Sequence, residues 1–186
     1  MTIKNFTNPK GFTLVELLTS VALFMVVMTI SMGSILGVFD ANKKAESLKT
    51  AMDNLNFSLE SMSREMRFGR TYHCGPNGVT TDAQNCPGGD SYIAFKTSDE
   101  IQTIYKKLGT QIVKSIDGGT TFIPVTAPEV IIQSLTFYVI GAGLLPPADK
   151  LQPKILMQVR GTAGTNAKST TDFTIETLVS QRLLDI

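Results

Sequence analysis

Residues 17–39 form an uninterrupted run of 23 amino acids without a charged side chain, and most of them are Leu, Val, Ile, Met or Phe. A helix of this length spans the hydrocarbon layer of a bilayer, about 30 Å at about 1.5 Å per residue. A secretory signal peptide has a shorter apolar core, about 7–15 residues, and ends at a small-x-small cleavage site, which does not follow here. The run therefore predicts a membrane helix that is retained in the mature protein. Residues 12–39 are the part of this helix that is expected to span the membrane.

The charges that flank this run do not orient it. Lys4 and Lys10 precede the helix, whereas Lys43, Lys44 and Lys49 follow it. Counting basic residues alone would place the C-terminal part in the cytoplasm. A disulfide in the C-terminal part would indicate the opposite side, because such bonds persist outside the reducing cytosol.

A carboxylate, Glu16, stands at the start of the apolar helix with no basic residue in the following turn. An unpaired charge in a medium of low dielectric constant costs several kcal/mol, on the order of 3 or more. If the chain were cut between Gly11 and Phe12, the new amino terminus would lie about one turn from Glu16, in its own subunit or in a neighbour. The alternative is an interfacial residue that reaches the lipid headgroups.

The segment from Lys10 to Leu18, KGFTLVELL, resembles the recognition sequence of class III signal peptides, the family of type IV pilins and type II secretion pseudopilins. The resemblance implies a leader peptide, residues 1–11, that a prepilin peptidase removes after Gly11 on the cytoplasmic side before it methylates the Phe12 amine. It also implies that Glu16 pairs with this amine and helps to recruit the next subunit. The C-terminal domain is then extracytoplasmic.

The same resemblance implies partners and a location. The expected partners are other pilin or pseudopilin subunits, the prepilin peptidase, the membrane, and an inner-membrane assembly platform driven by a cytoplasmic ATPase. The expected location is the bacterial inner membrane, followed by a pilus or periplasmic pseudopilus. Residues 63–67 and 174–182 resemble minor pilin-like proteins, including the J-type pseudopilins. The alternative is a single-pass, signal-anchored extracytoplasmic binding protein that does not enter a filament.

The predicted helix continues beyond the membrane run, because no proline occurs from Phe12 to Gly75. Its amphipathic half, 40–70, carries apolar residues at alternating spacings of four and three, which indicates a seam that packs on the domain's own sheet. These residues are Leu48, Met52, Leu55, Leu59, Met62 and Met66. Gly33 and Gly37 form a small-xxx-small pair that permits close approach of another helix.

The two cysteines, Cys74 and Cys86, lie in a segment rich in Gly, Asn, Pro and Asp, and residues 71–90 are predicted to form a disulfide-containing loop. Two free thiols or half of a metal site are the alternatives. A metal site is disfavoured because the chain has no other cysteine and a single histidine, His73.

Residues 91–186 show period-two patterns between turn residues, which predict an antiparallel sheet. The predicted strands are 91–95, 101–106, 111–116, 120–125, 130–140, 155–160 and 173–179. One long helix followed by a sheet indicates an α+β fold with the helix packed on an antiparallel sheet.

Nothing in the sequence predicts catalysis or a cofactor. The 17 basic and 16 acidic residues are scattered, which argues against nucleic-acid binding. His73 is expected to be solvated in its loop, so no catalytic residue is assigned. Asp82, Asp90, Asp99 and Glu100 could offer oxygen ligands to calcium, but their spacing is not that of an EF-hand and a solvated acidic loop is expected instead.

Overall fold

The computed structural model describes residues 11–143, 151–164 and 170–182. In chain order they form one helix and nine strands: α1 Leu14–Phe68, β1 Arg70–Cys74, β2 Cys86–Asp90, β3 Tyr92–Lys96, β4 Gln102–Leu108, β5 Gln111–Ser115, β6 Ile123–Pro124, β7 Val130–Ile140, β8 Lys154–Ala163 and β9 Thr171–Ser180. The chain divides into two compact units, Met1–Lys43 and Lys44–Ile186, and α1 runs from the first into the second. The long helix and the antiparallel strands confirm the predicted α+β class.

In the first unit, the described residues consist of the start of α1 and the three residues before it, and every one of them is exposed. Within the described part of the chain, one helix, α1, contains a stretch long and apolar enough to cross a membrane. The exposure of so many large apolar side chains to water is unfavourable, and such a surface is typical of a membrane or protein interaction site.

The second unit holds the rest of α1 and two antiparallel sheets rather than a single one. The five-stranded sheet has the order β1-β3-β4-β5-β6 and the four-stranded sheet has the order β2-β7-β8-β9. Strand β2 pairs with β7 rather than with β1 or β3, and places Cys86 opposite Val139 and Asp90 opposite Phe137. This long-range pairing divides the strands into two sheets, and no local pattern predicts it.

The segment 71–90, predicted to be a loop, begins and ends in strands. Tyr72 and Cys74 of β1 are buried, which gives that strand a reason to pair with β3. In β2, Gly89 is closely packed, because a Cβ there would lie 2.7 Å from the side chains of Thr136 and Tyr138. Only the residues between β1 and β2 form the loop that the sequence indicated.

The predicted strand 130–140 occurs with the predicted bounds, five others occur with shifted ends, and the predicted strand 120–125 is reduced to Ile123 and Pro124. The carboxylate of Asp117 accepts hydrogen bonds from the N–H groups of Thr120 and Thr121, at 3.0 and 2.9 Å. These bonds hold the preceding residues in a turn, so the strand starts later than the β-branched pattern predicts.

The predicted seam of α1 is confirmed. Leu55, Leu59, Met62 and Met66 are buried, and Leu48 and Met52 are half-buried against the same core. Ala51 and Ser58 are also buried. The Ser58 hydroxyl donates to the Val125 carbonyl oxygen at 2.5 Å, so this polar residue is satisfied at the helix–sheet contact.

A β-bulge in β7 sets which of its side chains enter the core. Val130 and Ile132 are buried, and after the register shift between Ile132 and Ser134 the buried positions become Leu135, Phe137 and Val139. Because side chains alternate across a strand, one extra residue is needed to change the phase of the pattern. The bulge keeps both halves of this 11-residue strand packed on one core.

Candidate processing and assembly site

The peptide bond between Gly11 and Phe12 lies in exposed, non-helical chain just before α1. The Phe12 side chain is 83% exposed, and a Cβ at Gly11 would meet no atom within 4 Å. Residues 1–10 of the predicted leader lie outside the described residues. Chain that is neither helical nor buried fits a protease active site without prior unfolding, so the position predicted for cleavage is accessible.

Thr13 caps the N-terminus of α1. Its hydroxyl oxygen accepts a hydrogen bond from the Glu16 N–H at 3.2 Å, and its carbonyl oxygen accepts one from the Leu17 N–H at 3.1 Å. The order Thr-x-x-Glu over 13–16 is the capping-box pattern, which marks the start of this helix in the sequence. The cap places Glu16 in the first helical turn, two residues after the helix begins at Leu14.

The side chain of Glu16 is exposed and forms no ion pair with any described residue. The Thr19 and Ser20 hydroxyls bond to the Glu16 carbonyl oxygen, at 3.0 and 2.8 Å, and so leave its carboxylate unused. The positive end of the helix dipole favours an acidic group in this turn by about 0.3–1 kcal/mol, which is less than the cost of placing an unpaired charge in lipid.

One face of α1 in the first unit is open to a neighbouring helix. A Cβ at either Gly33 or Gly37 would meet no atom within 4 Å. The four-residue spacing puts both glycines on the same side, where a second helix can approach the backbone closely.

The two cysteines are bonded to each other. Their Cα atoms are 5.6 Å apart, and the bond links β1 of the five-stranded sheet to β2 of the four-stranded sheet. Both sulfur atoms also lie close to the Phe137 carbonyl oxygen on β7. The disulfide therefore joins the two sheets in addition to closing the loop.

The prediction that His73 is solvated is wrong. His73 lies on β1, is 1% exposed, and contacts two backbone carbonyl oxygens, that of Asp82 through Nδ1 at 2.8 Å and that of Asn77 through Nε2 at 2.9 Å. The loop closed by the disulfide wraps around the ring, which explains the burial. With both nitrogens held by the backbone, neither is directed at a hydroxyl or thiol as a general base requires.

The four acidic residues considered for calcium do not converge. In the described ranges no three side chains of His, Cys, Asp or Glu come together as a metal site. Glu100 forms an ion pair with Arg70, and the Asp90 carboxylate accepts a hydrogen bond from the Tyr92 N–H at 3.1 Å.

A polar network that the sequence did not predict connects α1 to the five-stranded sheet. The Tyr105 hydroxyl donates to the Glu65 carboxylate at 2.9 Å, and the Lys114 ammonium donates to the same carboxylate. Burial, and then the nearby Glu65 charge, raise the pKa of the Tyr105 hydroxyl well above its usual range. Tyr105 therefore remains a hydrogen-bond donor at physiological pH.

Comparison with protein families identifies residues 7–32 as a prokaryotic N-terminal methylation motif. The match covers Gly11, Phe12, the cap at Thr13, Glu16 and most of the apolar run. No curated protein and no solved structure matches the chain. The motif thus coincides with the accessible bond, the capped helix start and the unpaired carboxylate described above.

Proposed function

We propose that this type IV pilin-like chain, which carries the N-terminal methylation motif on a pilin-like α+β fold, is a structural subunit of a type IV pilus or a type II secretion-like filament. The observation that carries the proposal is the match at residues 7–32, which includes the exposed apolar start of α1. Its role is assembly rather than catalysis. Within this class we assign it to the minor pilins or pseudopilins, including the J-type, on the likeness of residues 63–67 and 174–182 to such proteins.

The first proposed step is processing. The prepilin peptidase hydrolyses the bond between Gly11 and Phe12 on the cytoplasmic side of the membrane and then methylates the new Phe12 amine. The exposure and non-helical backbone of this bond support the proposal. Until assembly, the apolar part of α1 stores the subunit in the inner membrane with the second unit on the extracytoplasmic side.

The second proposed step is pairing of Glu16 with a Phe12 amine during assembly. The amine exists only after cleavage, and the Glu16 carboxylate has no ion-pair partner among the described residues. Pairing removes the cost of an isolated charge in an apolar environment, and it sets the axial register between neighbouring helices. Work for extraction comes from the cytoplasmic ATPase through the assembly platform.

Intact mass spectrometry of the protein from cells with an active prepilin peptidase tests the proposal. We expect a chain that begins at Phe12 and carries one additional methyl group. A chain that keeps residues 1–11 would contradict the proposal and favour an anchored binding protein outside any filament. The same cells without the peptidase provide the control and should retain the leader.

The variant Glu16→Gln tests the pairing step, because it removes the charge and keeps the size of the side chain. We expect normal membrane insertion and leader removal but poor incorporation into sheared filaments. The matched control, Glu46→Gln, changes an exposed glutamate of α1 in the second unit and should assemble normally. Incorporation of the Glu16 variant at the wild-type level would disprove the pairing.

A further inference from the structure

Among the described residues of the second unit, strand β9 forms a long sheet edge with which no other strand pairs. Strand β1 is covered at its edge by Gln84, whose N–H donates to the Tyr72 carbonyl oxygen, and β6 is short and contains Pro124. Strand β9 has ten residues without Gly or Pro, and no described residue pairs with its outer side. Proteins usually blunt such edges with prolines, bulges or short strands, because an unpaired edge binds further strands.

The inner face of β9 is only partly covered by the core. On the inner face, Phe173 and Ile175 pack against the core but remain half-buried, whereas Val179 is fully buried. The C-terminal end is fastened to α1 by a hydrogen bond from the Arg182 N–H to the Arg67 carbonyl oxygen at 2.9 Å. On the inner face, the uncovered apolar surface is therefore concentrated in the first half of the strand, whereas Leu178 is exposed on the opposite face.

The solvent face of β9 carries acidic charge. Asp172 and Glu176 are exposed four residues apart, so they lie on the same face, and β9 contains no basic residue. On the neighbouring strand β8, the exposed residues of this face include Arg160, opposite Thr174, and Lys154, opposite Ser180. Directly opposite Glu176 on β8 is Gln158, whose amide donates to the Glu176 carboxylate at 2.6 Å, and Arg160 lies diagonally from both acidic residues.

We infer that the outer edge of β9 binds an extended segment of a partner protein by strand addition. The segment has apolar residues on one face, which cover Phe173 and Ile175, and basic residues on the other, which lie beside Asp172 and Glu176. Backbone hydrogen bonds to the free edge give affinity, and the alternating side chains give specificity. The inference stands independently of the proposed function, because it uses residues of β8 and β9 alone.

Charge argues against a second copy of this chain as the occupant. Pairing β9 with β9 would place four carboxylates in two adjacent columns of one sheet face, with no basic residue in either column. Like charges at such distances destabilise a strand pair. A basic strand avoids this repulsion, because it places opposite charges beside Asp172 and Glu176.

The test uses the full chain in detergent and fluorescent nine-residue peptides. The first peptide has valine at every second position and threonine or lysine at the positions between. Its two lysines are four residues apart and therefore lie on one face. In the second, glutamate replaces both lysines, and in the third the residues of the first are reordered to abolish alternation. Peptide affinity is measured by fluorescence anisotropy, and amide hydrogen exchange of residues 171–180 is measured with and without peptide.

We expect the lysine peptide to bind about tenfold more tightly than the glutamate peptide and to slow exchange in β9. The variant Asp172→Lys/Glu176→Lys should reverse this preference, whereas Asp53→Lys/Glu129→Lys, with the same change in net charge on exposed residues elsewhere, should keep it. Equal affinity for all three peptides, protection outside β9, or self-association through β9 without peptide would overturn the inference.

Discussion

The ammonium group of Lys114 on β5 lies 2.6 Å from a carboxylate oxygen of Glu65 on α1. The same carboxylate accepts a hydrogen bond from the Tyr105 hydroxyl on β4. Since the Lys114 and Glu65 side chains are only 26% and 27% exposed, water replaces these contacts poorly if they are lost. The pair therefore contributes more to the attachment of α1 to the sheet than a surface ion pair does.

Replacing the carboxylate tests this attachment. We expect Glu65→Ala to lower the free energy of unfolding by about 1–3 kcal/mol, because Lys114 and Tyr105 both lose their acceptor. The control is Glu60→Ala, which removes the partner of Arg64 in a pair that is 70% and 71% exposed and should cost less than about 1 kcal/mol. Urea unfolding followed by tyrosine circular dichroism measures both, and equal losses would contradict the distinction.

The disulfide between Cys74 and Cys86 should stabilise the second unit. Closing a ring of about 13 residues is worth about 3 kcal/mol on the chain-entropy model. We expect Cys74→Ser/Cys86→Ser to lower the free energy of unfolding by roughly this amount. Wild-type protein treated with a reductant should approach the stability of the variant, and a reductant should leave the variant unchanged. A double variant as stable as the oxidised wild type would contradict the prediction.

Gly161 on β8 is required by close packing. A Cβ at this position would lie 2.3 Å from the Ile131 carbonyl oxygen and 2.9 Å from the Phe173 ring. We expect Gly161→Ala to destabilise the second unit by about 1–3 kcal/mol, because the backbone of β7 must shift. Gly88→Ala is the matched control, since a Cβ there meets no atom within 4 Å. Thermal unfolding distinguishes them, and equal melting temperatures would contradict the packing argument.

The turn after β5 should lose stability in acid. Hydrogen bonds from the Ser115 hydroxyl, and then from Thr121, hold the pKa of Asp117 well below its usual range. A carboxyl group whose pKa is lowered in the folded state stabilises the protein at pH values above the ordinary pKa of that group, about 4. This contribution is lost as the pH falls below that value towards the pKa of the folded state. We therefore expect wild type to be more stable than Asp117→Asn at neutral pH, and the difference to shrink in acid.

Urea unfolding of both proteins at several values between neutral pH and pH 2 measures this difference. Other titrating groups are common to the two proteins and cancel in the comparison. A difference that stays constant, or grows, as the pH falls would show that the Asp117 charge does not stabilise the turn.

The parts of the molecule that depend on neighbouring residues could be predicted from the sequence. The uncharged run at 17–39, the Gly11–Phe12 junction and Glu16 form one continuous segment, and they predicted the apolar helix and the motif that the comparison found. The spacing of Leu55, Leu59, Met62 and Met66 likewise predicted which side of α1 enters the core, because helical periodicity is a local property. The capping box at Thr13 could also have been predicted by the same reasoning.

Tertiary structure decided the features that depend on distant pairing. His73 was expected in water but is enclosed, because the bond between Cys74 and Cys86 and the pairing of β2 with β7 close the chain around it. The partition into two sheets follows from the pairing of β2 with β7, and the edge position of β9 follows from its pairing with β8 alone among the described strands. Sequence alone therefore determined the helix, its apolar surface and its N-terminal methylation motif, whereas the strand order, the burial of His73 and the edge position of β9 arose only when residues far apart in the chain met.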